Sequence, residues 1–196
     1  MDVKTVYNKI ANDFSRTRYK VWGGVKQFLD TIPMGSVVGD IGCGNGKNMM
    51  YRNDLSYIGM DISDEMVGIC KERGLNAITG SILDIPIDKV DYSMSIAVIH
   101  HLETREERVK ALSELLRITK HNILVTAWCF VQSKRKYASQ DEMISFTNRD
   151  GSVYHRFYHL YVDGELAQEI KDAGGEIISE NIENENYYIV FKNNCN

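Results

Sequence analysis

Hydrophobic positions along the chain follow two periods, one typical of helices and one typical of short buried strands. Five stretches with apolar residues at helical spacing predict helices at residues 3–14, 21–32, 64–73, 104–119 and 162–173. Seven short apolar runs predict strands at residues 36–41, 57–61, 76–80, 92–96, 123–130, 176–181 and 187–192. Strands that alternate with helices favour a parallel sheet covered on both faces.

The end of the chain departs from this alternation. Gly174 and Gly175 end the last predicted helix, and a short polar turn at 183–186 joins the last two strands, which predicts an antiparallel hairpin. We therefore expect one α/β domain over residues 1–196, with a Rossmann-like seven-stranded sheet and helices 3–32 before the first strand. Residues 131–155 are polar, basic and without a clear period, which predicts an irregular insertion.

Two aspartates stand at the ends of neighbouring predicted strands. Asp40 closes the first strand and is followed by Gly42, Gly44 and Gly46, while Asp61 closes the second. Glycines allow the backbone to turn tightly and to approach a ligand closely. We expect a helix directly after them, whose free N–H groups would attract an anion.

The negative charge expected in this pocket distinguishes between two kinds of nucleoside cofactor, dinucleotides and S-adenosylmethionine. Asp40 would repel the pyrophosphate of a dinucleotide, and Lys47 stands where the pattern G-x-G-x-x-G needs its third glycine. S-adenosylmethionine has no phosphate. Its ammonium group suits Asp40, its carboxylate suits the helix terminus, and its ribose hydroxyls suit Asp61. The alternative is a plain glycine turn, which the pairing of two aspartates disfavours.

Composition narrows the class of protein. A chain of 196 residues with 43% apolar content is most simply one domain with a substantial core. The four cysteines lack a C-x-x-C pair, so neither a metal site nor a disulfide framework is expected, and the cytoplasm or the nucleus is the predicted location. We also expect no membrane segment and no cleaved leader. The cysteines are Cys43, Cys70, Cys129 and Cys195.

The net charge of -4 argues against a general nucleic-acid binder, but the charges are unevenly distributed. Residues 1–26 contain six Lys or Arg and two Asp, and residues 134–136 form a second basic cluster, with Arg149 and Arg156 further along. Residues 163–185 contain eight acidic residues and one lysine. These charges are compatible with a polyanionic partner or with solvated helix faces, and charge alone leaves both open.

Two segments do not follow from general structural needs: Ile-Ala-Val-Ile-His-His at 96–101 and Arg-Phe-Tyr-His-Leu-Tyr at 156–161. Together with residues 6–7, 14–20, 40–47, 104–106, 108–109, 127–128 and 164–167, they resemble the eukaryotic tRNA carboxymethyluridine methyltransferase family. That family includes the methyltransferase domain of the human AlkB-type tRNA hydroxylase. The likeness covers nearly the whole chain and implies a class I S-adenosylmethionine-dependent methyltransferase fold.

The resemblance also implies a reaction and a partner. The reaction is methyl transfer from S-adenosylmethionine to the carboxylate of 5-carboxymethyluridine at the tRNA wobble position, which gives the methyl ester. The partner is a small zinc-binding activator subunit that forms a heterodimer with the catalytic chain. The cofactor-binding candidates are Asp40, Gly42, Gly44, Gly46, Asp61, Ile62, Ser81, Ile82 and Ile96. Ser81 replaces an aspartate of the family, so the adenine contact would fall to Ser81 or to Asp84.

A carboxylate acceptor, with a pKa near 4, is already ionised at neutral pH. The reaction therefore needs alignment rather than a general base, and a cation must hold the acceptor. The candidates are Arg18, Lys20, His101, Arg156 and His159, with Trp128 as a stacking surface for the uracil ring. Each has a structural alternative: the histidines hold loops, Arg156 and His159 anchor a strand, and Trp128 fills the core.

The third predicted strand, residues 76–80, is expected at an edge of the sheet. Its Ala-Ile-Thr sequence lacks the charges that protect exposed edges, so a strand of the activator would cover it; a shielding loop is the alternative. Two rival functions also stay open. One is a methyltransferase for a small-molecule carboxylate, and the other is a non-catalytic partner-binding module, which the departure at Ser81 favours.

Overall fold

A mixed sheet of seven strands forms the centre of the protein. The computed structural model describes residues 1–194. Its strands are β1 (Val37–Ile41), β2 (Ser56–Asp61), β3 (Ala77–Thr79), β4 (Tyr92–Ile96), β5 (Ile123–Trp128), β6 (Asp141–Thr147), β7 (Val153–His159), β8 (Gly175–Glu183) and β9 (Asn186–Asn193). The central sheet has the order β3-β2-β1-β4-β5-β9-β8. β1 to β5 are parallel, and β9 is antiparallel to both β5 and β8. The predicted seven-stranded sheet with a terminal antiparallel hairpin is therefore confirmed.

Five helices occupy the five predicted positions: α1 (Val3–Thr17), α2 (Gly23–Asp30), α3 (Asp64–Glu72), α4 (Arg105–Ile118) and α5 (Glu165–Asp172). Side chains cap the starts of α3 and α4. Ser63 accepts a hydrogen bond from the Met66 N–H, and Thr104 forms a reciprocal capping box with Glu107. Within residues 1–194, no helix combines the length and the apolar content needed to cross a bilayer.

The core lies on both faces of the sheet because successive strand residues point in opposite directions. On β5, Ile123 and Val125 pack with the buried side chains of α4 and α5. Leu124, between them, packs with those of α2 on the opposite face. All three are essentially inaccessible to solvent, so β5 is covered on both sides, as parallel sheets generally are.

The expectation of an irregular insertion over 131–155 was wrong for much of that segment. β6 and β7 form a separate antiparallel hairpin, in which Ile144 lies opposite Arg156 and Phe146 lies opposite Tyr154. One face of this hairpin packs on α1, where the rings of Phe14 and Phe146 lie 5.7 Å apart. The other face is largely exposed, which explains the polar character of its sequence.

Cys43, Cys70 and Cys129 are free thiols, and Cys195 lies outside the described residues. Over the described range 1–194, no cluster of three or more His, Cys, Asp or Glu side chains is arranged to hold a metal.

A buried ion pair joins α4 to α5. Arg108 is 4% exposed and Glu169 is 1% exposed, and an Arg108 nitrogen lies 2.9 Å from a Glu169 oxygen. The Tyr161 hydroxyl donates to the second oxygen of Glu169 at 3.0 Å. Glu169 is therefore satisfied on both oxygens, and each member of the pair needs the other, because a buried charge without a partner is strongly unfavourable.

We expect Glu169→Ala to lower the free energy of unfolding by about 3–5 kcal/mol, since it removes the buried partner of Arg108 and leaves only Glu165, at 3.8 Å, near that charge. Urea denaturation at pH 7 measures this loss. Lys192→Ala is the matched control, because Lys192 and Glu176 form an exposed pair at 3.4 Å, and it should cost less than about 1 kcal/mol. Equal losses in the two variants would contradict this account.

Candidate functional site

A cavity of about 880 Å³ opens at the carboxyl ends of the parallel strands. The strand order changes direction between β1 and β4, which is where open α/β sheets bind their ligands. Seven of the nine cofactor-binding candidates line it: Gly42, Gly44, Asp61, Ile62, Ser81, Ile82 and Ile96. Five of the six acceptor-side candidates line it as well: Arg18, Lys20, His101, Trp128 and Arg156. Asp40, Gly46 and His159 do not contribute to its wall.

Asp40 lies beneath the cavity with an unpaired carboxylate. The residue is fully buried, and neither carboxylate oxygen has a hydrogen-bond partner among the residues described. Burial raises the pKa of Asp40 to about 7, an effect that the nearby charge of Lys47 opposes. A buried carboxylate of this kind calls for a cation, and the ammonium group of S-adenosylmethionine fits that requirement.

The helix expected after the glycines is absent: between β1 and β2 the described chain forms only turns. Short i+3 backbone hydrogen bonds, such as Met49 N–H to the Gly46 carbonyl at 3.1 Å, hold this loop. The expected helix dipole therefore has no source here, and the positive charge that lines this end of the cavity is Lys47.

Gly42 and Gly46 are required for different structural reasons. Gly42 has φ +82°, and a Cβ there would lie 2.2 Å from a Val98 methyl carbon, so only glycine is accommodated. Gly46 turns toward the end of α3 and the residues after it, where a Cβ would lie 3.0 Å from Cys70 Sγ and 2.3 Å from a Leu75 methyl carbon. Gly46 therefore serves packing, which corrects the expectation that it faces the cofactor.

Asp61 joins the glycine loop to the end of β2. It accepts the Gly44 N–H at 2.8 Å and the Ser63 N–H at 2.9 Å, one on each oxygen. Each carboxylate oxygen retains a further acceptor site, and the residue lines the cavity. Burial raises the pKa of Asp61, and the backbone N–H donors oppose that shift. The arrangement suits a pair of ribose hydroxyls.

Ser81, rather than Asp84, lies at the cavity beyond β3. Ser81 lines the wall next to Ile82 and Leu83, and its Oγ accepts the Leu83 N–H at 3.2 Å. Asp84 is exposed and lies outside the wall. Of the two alternatives for an adenine contact, the geometry favours Ser81.

Asn45 connects the glycine loop to the end of α1, a role that the sequence did not reveal. Its side-chain amide donates to the Arg18 carbonyl at 2.9 Å and to Ser15 Oγ at 3.0 Å. Asn45 is 5% exposed, so these hydrogen bonds are shielded from water. The cofactor side and the acceptor side of the cavity are therefore held together at this residue.

His101 does not supply the cation expected of it. Its Nδ1 donates to the Phe157 carbonyl at 2.8 Å, so its Nε2 must accept the Tyr7 hydroxyl proton at 2.9 Å. Burial lowers the pKa of His101 to about 4, and the ring is neutral at physiological pH. His101 positions Tyr7 and β7 instead, which is a duty that only the contacts of the folded chain reveal.

His159, unlike His101, does not line the cavity. Its two ring nitrogens are 2.6 Å from an Asp141 oxygen and 2.7 Å from a Glu165 oxygen. Burial lowers its pKa, but the hydrogen bonds that the ring donates to these carboxylates outweigh that effect and raise the pKa overall. The expectation of a substrate contact was wrong here. His159 ties the base of the hairpin to α5.

Arg156 is a buried cation on the acceptor side. It is 5% exposed, and its guanidinium lies between 5.3 and 5.9 Å from four aromatic ring centres. Its one side-chain hydrogen bond is a long one, to the Tyr7 hydroxyl at 3.4 Å, and its Nε has no partner in the described chain. The rings belong to Tyr7, Phe14, Phe146 and Tyr158.

Cations and aromatic rings also surround the mouth of the cavity. The indole of Trp128 lines the wall, and the Arg135 guanidinium lies 5.6 Å from its ring centre. Arg18 and Lys20 contribute from the segment after α1. Within residues 1–194, none of these three cations forms an ion pair with a carboxylate.

Residues 39–125 match the family model described as a methyltransferase domain. Over 98% of its length the chain is 32% identical to a Schizosaccharomyces pombe protein, "tRNA (carboxymethyluridine(34)-5-O)-methyltransferase", and it spans 96% of that protein. It is 42% identical over 70% of its length to the mouse protein of the same activity name, ALKBH8, of which it spans 21%.

Solved structures with the same fold include a S-adenosylmethionine-dependent methyltransferase from Clostridium acetobutylicum, with a TM-score of 0.74 and 15% identity over 95% of this chain and 98% of that one. A Haloferax volcanii methyltransferase, solved in complex with the Trm112 methyltransferase activator, has a TM-score of 0.72 and 16% identity, covering 97% of both chains. These likenesses confirm the expected fold class.

We expect Asp40→Asn to stabilise the cofactor-free protein while weakening its binding of S-adenosylmethionine. Folding raises the pKa of Asp40 from 3.8 to about 7, so the unfolded chain loses this proton first, and stability falls as pH rises between these values. The asparagine removes that loss, on the order of 2–4 kcal/mol at pH 8. It also removes a buried ion pair with the ligand, so affinity should fall by roughly thirtyfold or more.

Urea denaturation at pH 5 and pH 8, with calorimetric titration of the cofactor, measures both effects. The stability gain should be larger at pH 8 than at pH 5. Asp88→Asn, at an exposed aspartate, is the control and should change neither quantity. A variant that is destabilised at pH 8 and retains full affinity would contradict the assignment.

Proposed function

Because the chain belongs to the tRNA (carboxymethyluridine(34)-5-O)-methyltransferase family, we propose that it methylates the carboxylate of 5-carboxymethyluridine at the tRNA wobble position. S-adenosylmethionine, when bound, supplies an electrophilic methyl group. The product is the methyl ester.

The observation that carries this proposal is the unpaired buried charge of Arg156. Arg108 is buried to nearly the same extent, 4% against 5% exposed, and has Glu169 at 2.9 Å. Arg156 has no carboxylate within ion-pair distance among residues 1–194. It lines the cavity, so its counter-ion is supplied by a ligand. Guanidinium is well suited to orient a carboxylate through paired N–H groups.

The residues around Arg156 explain how the acceptor is aligned without a general base. A carboxylate is ionised at neutral pH, so no proton has to be removed. His101 is neutral and engaged on both ring nitrogens, which makes it unsuitable as a base and suitable as a support for Tyr7. The aromatic rings around Arg156 exclude water, which strengthens its attraction for an anion. The half-buried Trp128 offers a face for the uracil ring.

The cofactor would be held by residues of the opposite wall. Asp40 would pair with its ammonium group, Asp61 would accept hydrogen bonds from its ribose hydroxyls, and Ser81 with Ile82 would meet the adenine. Asn45 would keep this wall in place against the end of α1, since it bonds to both.

A tRNA acceptor is supported by the unpaired cations around the mouth: Arg18, Lys20 and Arg135. Phosphates are the natural partners of cations that lack carboxylates. A small carboxylate acceptor would supply no counter-ions for these cations. The predicted location in the cytoplasm or the nucleus, where tRNA is present, stays part of this proposal.

A small zinc-binding activator is proposed as partner along β3. This strand ends the sheet on one side and contains only Ala77, Ile78 and Thr79, so no charge protects its edge. The Haloferax methyltransferase of the same fold was solved in complex with the Trm112 methyltransferase activator. The proposed contact is an added strand.

The experiment is nucleoside mass spectrometry of an anticodon stem-loop RNA that carries 5-carboxymethyluridine, after incubation with S-adenosylmethionine and the full chain co-expressed with a Trm112-type activator. We expect the methyl ester of that uridine. Arg156→Gln should lower kcat/KM by about 30-fold or more, because a buried charge-assisted contact is worth 2–5 kcal/mol.

Arg149→Gln is the matched control on the same hairpin, since Arg149 is exposed and lies near Asp13 at 3.8 Å. It should leave kcat/KM within about threefold, as exposed pairs contribute little. Cofactor affinity should be unchanged in both variants. Absence of the ester would contradict an RNA acceptor. So would turnover of the free nucleoside, in high salt, at the same rate as turnover of the stem-loop RNA.

Thr79→Pro tests the partner. Gly80 donates its N–H to the Asp61 carbonyl at 3.0 Å, so alternation along the strand turns the Thr79 N–H to the open side. Proline should abolish co-purification with the activator and leave the melting temperature within a few degrees. Retained co-purification would exclude pairing along this edge.

A further inference from the structure

The segment between α1 and α2 presents an exposed aromatic ring beside the mouth of the cavity. Tyr19 is 72% exposed, and it is the one aromatic residue among the large apolar side chains that are exposed in residues 1–194. The Lys20 ammonium lies 5.8 Å from its ring centre. Both residues line the cavity, so the ring stands next to the acceptor and outside the protein core.

The charges on this segment are uncompensated. The Arg18 guanidinium lies 4.8 Å from the Phe14 ring centre, and within residues 1–194 its side-chain hydrogen bonds go only to Thr17. In contrast, Arg16, two residues earlier, has Asp13 at 3.7 Å. Positive charge is therefore left available at the end of the segment that faces the cavity.

The position of the segment is fixed by the glycine loop. The buried amide of Asn45 donates to the Arg18 carbonyl at 2.9 Å, directly before Tyr19. A ring that projects into solvent from an anchored backbone is ready to receive a planar partner with little loss of entropy.

We propose that Tyr19 and Lys20 form a second nucleotide site beside the acceptor cavity. The base next to the modified uridine stacks on the Tyr19 ring, and Lys20 neutralises its phosphate. This inference rests on the proposed function, because an RNA acceptor necessarily brings a neighbouring nucleotide to the mouth. Every base has a stacking face, so the site provides affinity and directs the strand without reading its sequence.

The test compares anticodon stem-loop RNAs that carry 5-carboxymethyluridine, with intact neighbours or with an abasic nucleotide on the 5′ or the 3′ side. Fluorescence anisotropy gives the Kd for the full chain, co-expressed with a Trm112-type activator. Tyr19→Ala should raise the Kd for intact RNA roughly tenfold, and Tyr19→Phe should leave it nearly unchanged, as expected for stacking.

The abasic RNAs identify the contact. One of the two abasic RNAs should bind the wild type roughly tenfold more weakly than intact RNA does. The same abasic RNA should bind Tyr19→Ala with the same Kd as intact RNA. Lys20→Gln should reduce the slope of log Kd against log salt by about 1. The controls are Met34→Ala and Lys89→Gln, two exposed residues before β1 and β4 at the opposite end of the sheet; both should behave as wild type.

Unchanged RNA affinity in Tyr19→Ala overturns the inference. The inference also fails if each abasic nucleotide weakens binding to Tyr19→Ala as much as it weakens binding to the wild type. Loss of activator binding in Tyr19→Ala with normal RNA binding also overturns it, since the ring would then contact protein. Ester formation by the wild type, measured in the same series, separates the two claims. If the ester forms while Tyr19→Ala binds normally, only the second site fails.

Discussion

The functional site is organised around buried charges that have no counter-charge within the described protein. Among residues 1–194, neither oxygen of the buried Asp40 has a hydrogen-bond partner, and Arg156, in the cavity wall, forms no ion pair with a carboxylate. Folding has to tolerate the desolvation of both charges, a cost that the Arg108–Glu169 pair offsets by mutual attraction and that Asp40 and Arg156 do not. The cost is understandable only if ligands complete each site, with a cation above Asp40 and an anion beside Arg156.

The two walls are joined by polar contacts that run through α1. Asn45 bonds the glycine loop to the end of this helix, and Tyr7, on the same helix, contacts both His101 and Arg156. The distance between donor and acceptor sites is therefore set by one helix. This arrangement supports catalysis by approximation, in which precise placement replaces acid–base chemistry.

The sequence predicted the sheet and its helices because these elements bury apolar residues at regular spacing. It also predicted that Asp40 and Asp61 stand at the ends of neighbouring strands, because each follows an apolar run in the chain. The hairpin β6–β7 was missed because only one of its faces is covered, and that face includes the charged Arg156 among its apolar residues. A helix was expected after the glycines as a source of free N–H groups for an anion, and the chain forms turns instead.

Side-chain duties were less predictable than positions. His101 and His159 resemble catalytic histidines in the sequence, yet their ring nitrogens are occupied by contacts with residues far along the chain, such as Phe157 for His101 and Asp141 for His159. No local pattern encodes such long-range partners. Asn45 was overlooked for the same reason, since its acceptors lie about thirty positions earlier.

The hairpin contacts the rest of the molecule at its base, across α1 and at residues 99–101, where His101 donates to the Phe157 carbonyl and the His100 ring stacks on Tyr158. In the described chain its strands pair only with each other, so separating α1 from the hairpin would expose the aromatic surroundings of Arg156. Proteins open locally at such weakly connected segments, so we expect the hairpin and α1 to separate more readily than the strands that carry Asp40 and Asp61. Entry of a bulky polynucleotide would draw on this local opening, and hydrogen exchange would follow it as joint deprotection of α1 and β7.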